Sequence, residues 1–269
     1  MDHGRALELY AQFLTNYEDK RLKVVVEGPI LPYDPGVTSL AAHTIADAGE
    51  DFLREISNSI NDLRRWINTV AAWKPVYEIC EMDEQLHLLV QHITPVATLA
   101  LSAPQALRGR IMYAAASCSA IANHELHREN PKLHLLPDHV NMTSASKLGA
   151  PWGAWPALAQ RMNEISTTVW SLSTTDFRNA REHGHPRNIG IGITNIFKIK
   201  QVDGRRQIAS GFREPIPLQT VIDTGIEGHT AVVAAYHALA ALIEEQTQAL
   251  IEDAKKKNPY GIQFFPGVR

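Results

Sequence analysis

The chain has 269 residues, a formal net charge of −3 and 45% apolar residues, enough to bury one large core or one domain with a substantial insertion. No uninterrupted apolar run approaches the roughly 20 residues that a membrane span needs, and the N-terminus lacks a basic stretch followed by an apolar signal core. These features predict a globular, cytoplasmic protein that does not enter a membrane.

Helical periodicity dominates the first half of the chain. Apolar residues recur every three or four positions from Leu40 to Val70, which predicts one long amphipathic helix that Pro75 breaks or kinks. A shorter apolar pattern, from Met82 to Ile93, is stopped or bent by Pro95. In the stretch "SAPQALRGR", Ser102 has the position of an N-cap and predicts the start of a further helix.

A loop and a helix are predicted to follow. Residues 130–153 lack periodicity and are punctuated by proline and glycine, which is typical of a loop. A helix is expected from Trp155 to about His183, because Gly184 and Pro186 make its continuation unfavourable.

The predicted fold class is mainly α, a helical bundle with a small β-hairpin insertion before the last helix. Alternating, isoleucine-rich runs flank Asp203-Gly204 and predict the hairpin at about 190–213, and the last helix is predicted from about Thr230 to Lys257. Three segments are expected: an N-terminal helix and strand extension at 1–39, with "LKVVVEGPI" as the strand candidate, the bundle at 40–257, and a tail at 258–269.

Charge is distributed unevenly along the chain. Between Arg178 and Arg213, eight basic residues against two acids give +6, which leaves −9 for the rest. A positive field beside an acidic body predicts that an anionic ligand docks at this place. A solvated basic hairpin without a ligand is the alternative.

The helix expected from Trp155 has a buried stripe that changes character towards its end. The stripe is apolar through Leu172 and then turns polar. Polar groups on the core side are unfavourable unless hydrogen-bonded or hydrated, so the change indicates a polar network or a cleft. The polar positions are Asp176, Asn179 and His183.

Two alternatives explain this helix end without a site. A straight helix drifts by about 20° per heptad, so the buried face could pass to Phe177 and Ala180. Arg178 could form an ordinary surface ion pair with Glu182, four residues further on.

The spacing of the polar residues limits how they can meet. Arg178 and His183 are separated by about 140° around a regular helix and by about 7.5 Å along it. Asn179 and His183 share one face, so the amide could orient the imidazole. Arg178 meets His183 only if the helix end turns the ring or if a two-fold partner brings a second copy of the helix alongside.

An arginine and a histidine without a metal suit the cleavage of RNA. The neighbouring 2′-hydroxyl attacks the phosphate, so the protein need not supply a nucleophile. Histidine transfers protons near neutral pH, and arginine stabilises the charge of the crowded phosphorane.

The sequence RNAREH, residues 178–183, resembles the R-N-x-x-x-H form of the R-x4-6-H motif of the HEPN superfamily. These helical-bundle proteins include many metal-independent endoribonucleases, commonly toxins or phage-defence effectors that act as dimers, with the motif from both subunits lining a composite site. The resemblance implies an HEPN-like bundle in which Arg178 and His183 are catalytic and Asn179 is the polar residue that often follows the arginine. The hairpin before the last helix departs from the simplest four-helix form.

Other constellations are weaker. A second R-x4-6-H match, from Arg128 to His134, contains Pro131 and lacks the polar residue after the arginine. A metal-dependent helical hydrolase using His124, His127 or His183 is a third hypothesis, although the HExxH spacing is absent and no cysteine or acidic cluster completes a ligand set. We therefore expect no metal or other cofactor. The two cysteines, Cys80 and Cys118, lie in apolar helical patterns and are predicted to be buried thiols.

The predicted function is a cytoplasmic, homodimeric, metal-independent endoribonuclease, a toxin or an antiviral defence effector. An antitoxin or a defence protein is a further expected partner. The alternative is a catalytically silent HEPN-like module that binds RNA, a nucleotide or a partner protein, which the acids Asp176 and Glu182 also fit. The residues expected to bind RNA are Arg181, His185, Arg187, Lys198 and Lys200.

Overall fold

The computed structural model describes residues 1–20, 26–32, 39–165, 177–202 and 205–257. In these ranges the protein is mainly α-helical with one β-hairpin before the last helix, which confirms the predicted fold class. The helices are α1 (His3–Lys20), α2 (Leu40–Glu78), α3 (Met82–Leu88), α4 (Thr94–Leu126), α5 (Met142–Gly149), α6 (Trp155–Glu164), α7 (Phe177–His183) and α8 (Leu218–Lys257).

The hairpin consists of β1 (Thr194–Val202) and β2 (Arg205–Arg213), which pair antiparallel with Ile199 opposite Ile208. The predicted turn residues Asp203 and Gly204, the predicted tail and the first part of the N-terminal strand candidate lie outside the described residues. Residues 26–30 of that candidate are not in a strand.

The chain divides into two compact units, each assembled from three stretches. The first unit comprises Met1–Val25, Asn61–Ala106 and Ser166–Thr230, and the second comprises Val26–Ile60, Leu107–Ile165 and Ala231–Arg269. Helices α2, α4 and α8 contribute residues to both units. The predicted boundaries after residues 39 and 257 stay predictions.

Aromatic rings and one ion pair hold α1 in the first unit. The Phe13 ring stacks on Trp73 with ring centroids 4.3 Å apart, and Trp73 stacks on His92 at 5.0 Å. Arg5 Nε donates a hydrogen bond to Glu84 at 2.8 Å, and this bond holds the pKa of the Glu84 carboxyl below its usual range. Helices α1 and α3 are therefore fixed to each other.

A buried amide organises the second unit. The side chain of Asn123 is fully buried, and its Nδ2 donates to the carbonyl oxygens of Leu133 at 3.0 Å and Leu148 at 2.8 Å. Its Oδ1 accepts a hydrogen bond from Trp152 Nε1 at 3.0 Å. One side chain on α4 thus satisfies a main-chain group before α5 and another in the last turn of α5, since buried polar atoms need partners.

The predicted helix start at Ser102 is wrong, because α4 begins at Thr94 and continues through Pro104. A π-helical turn, Leu89–Ile93, precedes α4 and takes up the change of register ahead of Pro95. Pro95 lies inside the uninterrupted helical stretch Met82–Leu126, next to the π turn, so its missing N–H removes an interior hydrogen bond. Pro104 removes an interior hydrogen bond, and the buried residues on both sides of it show that packing outweighs this loss.

Two other boundaries differ from the predictions. The predicted loop contains α5, whose N-cap Asn141 forms a capping box with Ser144, because an eight-residue helix is too short to show periodicity. The last helix starts at Leu218 and not near Thr230. Glycines near its start obscure the helical pattern in the sequence. A Cβ added to Gly225 would lie 2.8 Å from the Ile67 side chain of α2. A close helix contact therefore requires this glycine.

Two helical stretches, Met82–Leu126 and Leu218–Lys257, have the length and composition of a membrane span. The core helices of water-soluble proteins can have the same length and composition. In the most apolar 18 residues of each stretch, 44% and 39% of the residues are buried within the protein. The cytoplasmic location stays a prediction.

Candidate active site

Helix α7 positions the RNAREH motif at the edge of the first unit. Its first residue, Phe177, is buried and anchors the helix in the core. Its last residue is His183, and the Gly184 N–H donates to the Ala180 carbonyl at 2.9 Å. The predicted helix end at His183 is confirmed. The sequence predicted that this helix is continuous with α6. The residues that would join the two, 166–176, lie outside the described residues.

The prediction that Asn179 and His183 continue the buried stripe is wrong. Phe177 is buried, whereas Asn179 is exposed and the His183 side chain is 73% exposed. The buried position is Phe177, one of the two that the drift alternative named. Within the described ranges no hydrogen bond joins Asn179 to His183. The third residue of the polar stripe, Asp176, lies outside the described residues.

Glu182 lies between the two predicted catalytic side chains. Arg178 Nε donates a hydrogen bond to Glu182 Oε1 at 2.9 Å, and His183 Nε2 lies 4.0 Å from Glu182 Oε2. The two oxygens of one carboxylate therefore face the arginine and the histidine. Arg178 and His183 point to one place at the helix end although they lie on different faces of the helix.

The electrostatics of this end favour an ionised carboxylate. The hydrogen bond from Arg178 holds the pKa of Glu182 below its usual range, and the charge of His183 adds to the effect. Arg178 is about one-third exposed and Glu182 about half, so the pair is screened by water and open to competition from a dissolved anion. A phosphate group can replace the carboxylate as the partner of Arg178, because arginine binds both anions with the same donors.

The residues expected to bind RNA fall into three groups. Arg181 and His185 are exposed on and just after α7. Arg187 donates from Nε to the Glu214 carbonyl at 2.8 Å and from a terminal nitrogen to the Pro215 carbonyl at 3.2 Å, so it ties the chain before β1 to the chain after β2. The side chains of Lys198 and Lys200 lie outside the described part of the structure.

A clamp at the root of the hairpin was not predicted from the sequence. Ile189 forms a parallel bridge with Ile216, and Thr194 Oγ1 donates to the Pro186 carbonyl at 3.2 Å. Gly190 and Gly192 have φ values of 75° and 95°, which favour glycine. The sequence signal was the pair of glycines in "IGIG", whose meaning depends on backbone angles.

The second R-x4-6-H match lacks the geometry of the first. Arg128 is bound to Glu125 at 2.6 Å, and His134 Nε2 contacts the His127 carbonyl at 2.8 Å. The His134 ring meets His124 edge-on, with centroids 5.3 Å apart, beside a largely apolar cleft of about 360 Å³. Among the described residues, no group of three or more histidine, cysteine, aspartate or glutamate side chains could hold a metal ion.

The predicted thiols are buried, and burial raises the pKa of Cys118 to about 12 and also raises that of Cys80. Neither is a reactive thiolate at neutral pH.

Comparison of the chain with models of protein families, with curated proteins and with solved structures finds no match.

Proposed function

We propose that this protein is a metal-independent endoribonuclease of HEPN type that acts as a homodimer. The observation that carries the proposal is the convergence of Arg178 and His183 on the carboxylate of Glu182 at the exposed end of α7. An anionic group there accepts a hydrogen bond from a cation at 2.9 Å and lies 4.0 Å from an imidazole. This is the arrangement that a scissile phosphate needs.

The chemistry follows from this arrangement. The 2′-oxygen of a ribose attacks the adjacent phosphorus while an imidazole accepts the hydroxyl proton. The bond from phosphorus to the 5′-oxygen breaks, and that oxygen takes a proton from an imidazolium. Arg178 stabilises the extra negative charge on the phosphorane. The products are a 2′,3′-cyclic phosphate and a free 5′-hydroxyl, so DNA, which has no 2′-hydroxyl, is not a substrate.

The dimer supplies both proton-transfer roles. A single His183 is either protonated or neutral, whereas two copies around one cleft provide one base and one acid at the same time. Arg181 and His185, exposed beside the catalytic pair, would bind neighbouring phosphates, and the basic hairpin would extend the contact along the strand. A toxin or antiviral role, an antitoxin or defence partner and a cytoplasmic location belong to the same proposal.

One observation favours a second function. Glu182 already occupies the donor of Arg178, as it would in a catalytically silent module that binds RNA, a nucleotide or a partner protein. In that case an anionic ligand would bind by displacing Glu182, and no bond would be cleaved.

A cleavage assay separates the two functions. Purified protein is incubated in a chelator with a structured RNA and with DNA of the same sequence, and the RNA ends are identified. Wild type should cut RNA only and leave 2′,3′-cyclic phosphates. Arg178→Ala and His183→Ala should each reduce the rate by about 10²-fold or more.

Matched variants guard against a contaminating nuclease. Arg161→Ala removes another exposed arginine, which is paired with Glu164 at 2.8 Å, and His139→Ala removes another exposed histidine. Both should cleave like wild type. If wild type is no faster than Arg178→Ala, the nuclease proposal is wrong. In that case, RNA binding that is lost only in Arg178→Ala and His183→Ala would support the silent module.

A further inference from the structure

The second unit contains a largely apolar cleft with room for apolar side chains. It lies between the start of α2, the second half of α4 and the chain after residue 133, and its volume is about 360 Å³. A void of roughly 150 Å³ admits one benzene molecule, so this cleft has room for about two large apolar side chains. We call it the α4 cleft; its lining includes Ala41, Ala120, Ile121, His124, His134 and Leu136.

The walls of the α4 cleft suit an aromatic or aliphatic occupant. Among the described residues, no lysine, arginine, aspartate or glutamate lines it. Part of its wall is formed by the imidazoles of His124 and His134, which meet edge-on with ring centroids 5.3 Å apart. His134 Nε2 donates a hydrogen bond to the His127 carbonyl at 2.8 Å, which holds this ring in place. Aromatic rings pack favourably on one another in such arrangements.

The last helix ends beside this cleft. Lys257 is the final residue of α8, and its Nζ lies 3.3 Å from Glu125 Oε1 on α4. Glu125 directly follows His124, which lines the cleft. The Glu125 carboxylate also accepts a hydrogen bond from Arg128 at 2.6 Å, and Lys257 Nζ also lies 2.7 Å from Asp253. The chain therefore continues from α8 next to the α4 cleft.

The residues that follow α8 have an apolar sequence pattern. Residues 258–269, NPYGIQFFPGVR, lie outside the described part of the structure. They include three aromatic residues, one basic residue and no acid, whereas segments that stay in water are poor in aromatic residues and rich in charge. Tyr260, Ile262 and Phe264 alternate with Gly261 and Gln263, so an extended segment would present the three large side chains on one side.

From these observations we infer that residues 260–264 dock in the α4 cleft of their own chain, with Ile262 and Phe264 as the two side chains that fill it. The length of chain is sufficient. Phe264 is seven residues beyond Lys257, which gives an extended chain a reach of up to about 23 Å. The α4 residues of the cleft extend over only about 10 Å. Cleft and segment belong to the second unit, so the inference does not depend on the proposed nuclease.

Limited proteolysis of the full chain with chymotrypsin tests the inference. The enzyme cuts after Tyr260 and Phe264 only in molecules whose segment has left the cleft, so docking protects both bonds. Leu136→Asp places a charge in the apolar wall and should make both bonds at least about tenfold more susceptible than in wild type. Leu135→Asp, at a neighbouring exposed leucine that does not line the cleft, should be cut like wild type. Mass spectrometry identifies the products.

A change in the segment itself tests the same contact without altering the cleft. In Ile262→Ser with Phe264→Ser, the imidazole resonances of His124 and His134 should move in NMR spectra, because a docked phenyl ring displaces them. Phe265→Ser is the control, since its ring would lie on the other side of an extended segment. Its spectrum should match that of wild type at both histidines.

Four results would overturn the inference. Two are a wild type that is cut after Phe264 as fast as Leu136→Asp, and imidazole resonances that do not respond to the double serine variant. The third is protection that disappears on dilution, which would assign the cleft to the segment of a second copy. The fourth is binding of the dye anilinonaphthalene sulfonate to wild type but not to Leu136→Asp, which would show an open cleft that takes a small ligand.

Discussion

Arg178 donates its Nε hydrogen to the carboxylate of Glu182 at 2.9 Å, one helical turn further along α7. This bond neutralises the cation on which the proposed chemistry depends. Both side chains of the pair are partly exposed to water, so an incoming phosphate competes with the carboxylate for the same donor. The ion pair is therefore a resting state of the proposed site.

Replacing Glu182 by glutamine should strengthen RNA binding. The amide keeps the shape of the side chain but removes the charge that competes with phosphate and repels it. In a His183→Ala background, which prevents cleavage, Glu182→Gln should lower the Kd for RNA about fivefold, with the largest effect at low salt. Fluorescence anisotropy measures the change. Glu164→Gln, at a matched ion pair with Arg161, should have no effect. An unchanged or raised Kd for Glu182→Gln would contradict a phosphate site at Arg178.

Replacing Gly190 by alanine should destabilise the root of the hairpin. The φ of Gly190 is +75°, and an added Cβ would lie 2.8 Å from Leu89 Cδ2. We expect a loss of about 2 kcal/mol in the free energy of unfolding and faster proteolysis of the hairpin. Gly211→Ala on β2 is the control, because no atom lies within 4 Å of its added Cβ. Equal behaviour of the two variants would show that the clamp does not depend on Gly190.

Replacing Asn123 by alanine should destabilise the second unit. The change leaves two carbonyl groups and the Trp152 N–H without the partners they have in the folded protein. Buried unsatisfied groups are expensive, so the free energy of unfolding should fall by about 3 kcal/mol in urea titrations. Asn163→Ala, at an exposed position, should change it by less than about 0.5 kcal/mol. A loss for Asn123→Ala no larger than that of the control would refute the network's contribution.

Acid should destabilise the protein partly through His229. Burial, aided by the charge of Arg64, lowers the pKa of His229 from 6.5 to about 4. Below about pH 6.5 the unfolded chain therefore binds a proton at His229 that the folded chain does not bind. His229 costs no stability above that pH, and the free energy of unfolding falls as the pH drops from about 6.5 towards 4. His229→Gln should reduce this fall by roughly 1–2 kcal/mol, after allowance for solvent screening.

Thermal unfolding of both proteins across that range measures the difference. A His139→Gln variant controls for the loss of an exposed imidazole. Identical pH profiles for wild type and His229→Gln would contradict the prediction.

Most of the fold could be predicted, because helices and strands leave periodic patterns. The mainly α class, the hairpin before the last helix and the helix end at His183 all follow from local periodicity and helix-breaking residues. The two wrong helix starts have one cause. Ser102 had the local chemistry of an N-cap, and Gly225 that of a helix breaker, but the packing of α4 and α8 outweighed both preferences.

The sequence nominated a candidate site but did not arrange it. The RNAREH motif and the helix end nominated Arg178, Asn179 and His183, whose roles stay a prediction. Residue spacing did not decide which face of this helix is buried, and the buried residue proved to be Phe177. The position of Glu182 between the arginine and the histidine depends on side-chain rotamers, which residue spacing does not specify.

The sequence by itself determined which elements form and where basic charge collects, because these depend on neighbouring residue types. Only the tertiary structure decided which apolar residues stay exposed. Phe197 and Ile199 on β1, and Met82 and Leu86 on α3, follow ordinary strand and helix patterns in the sequence, and both patterns usually face a core. In the folded chain these four side chains are more than half exposed, because long-range packing and not local spacing decides which face of an element is covered.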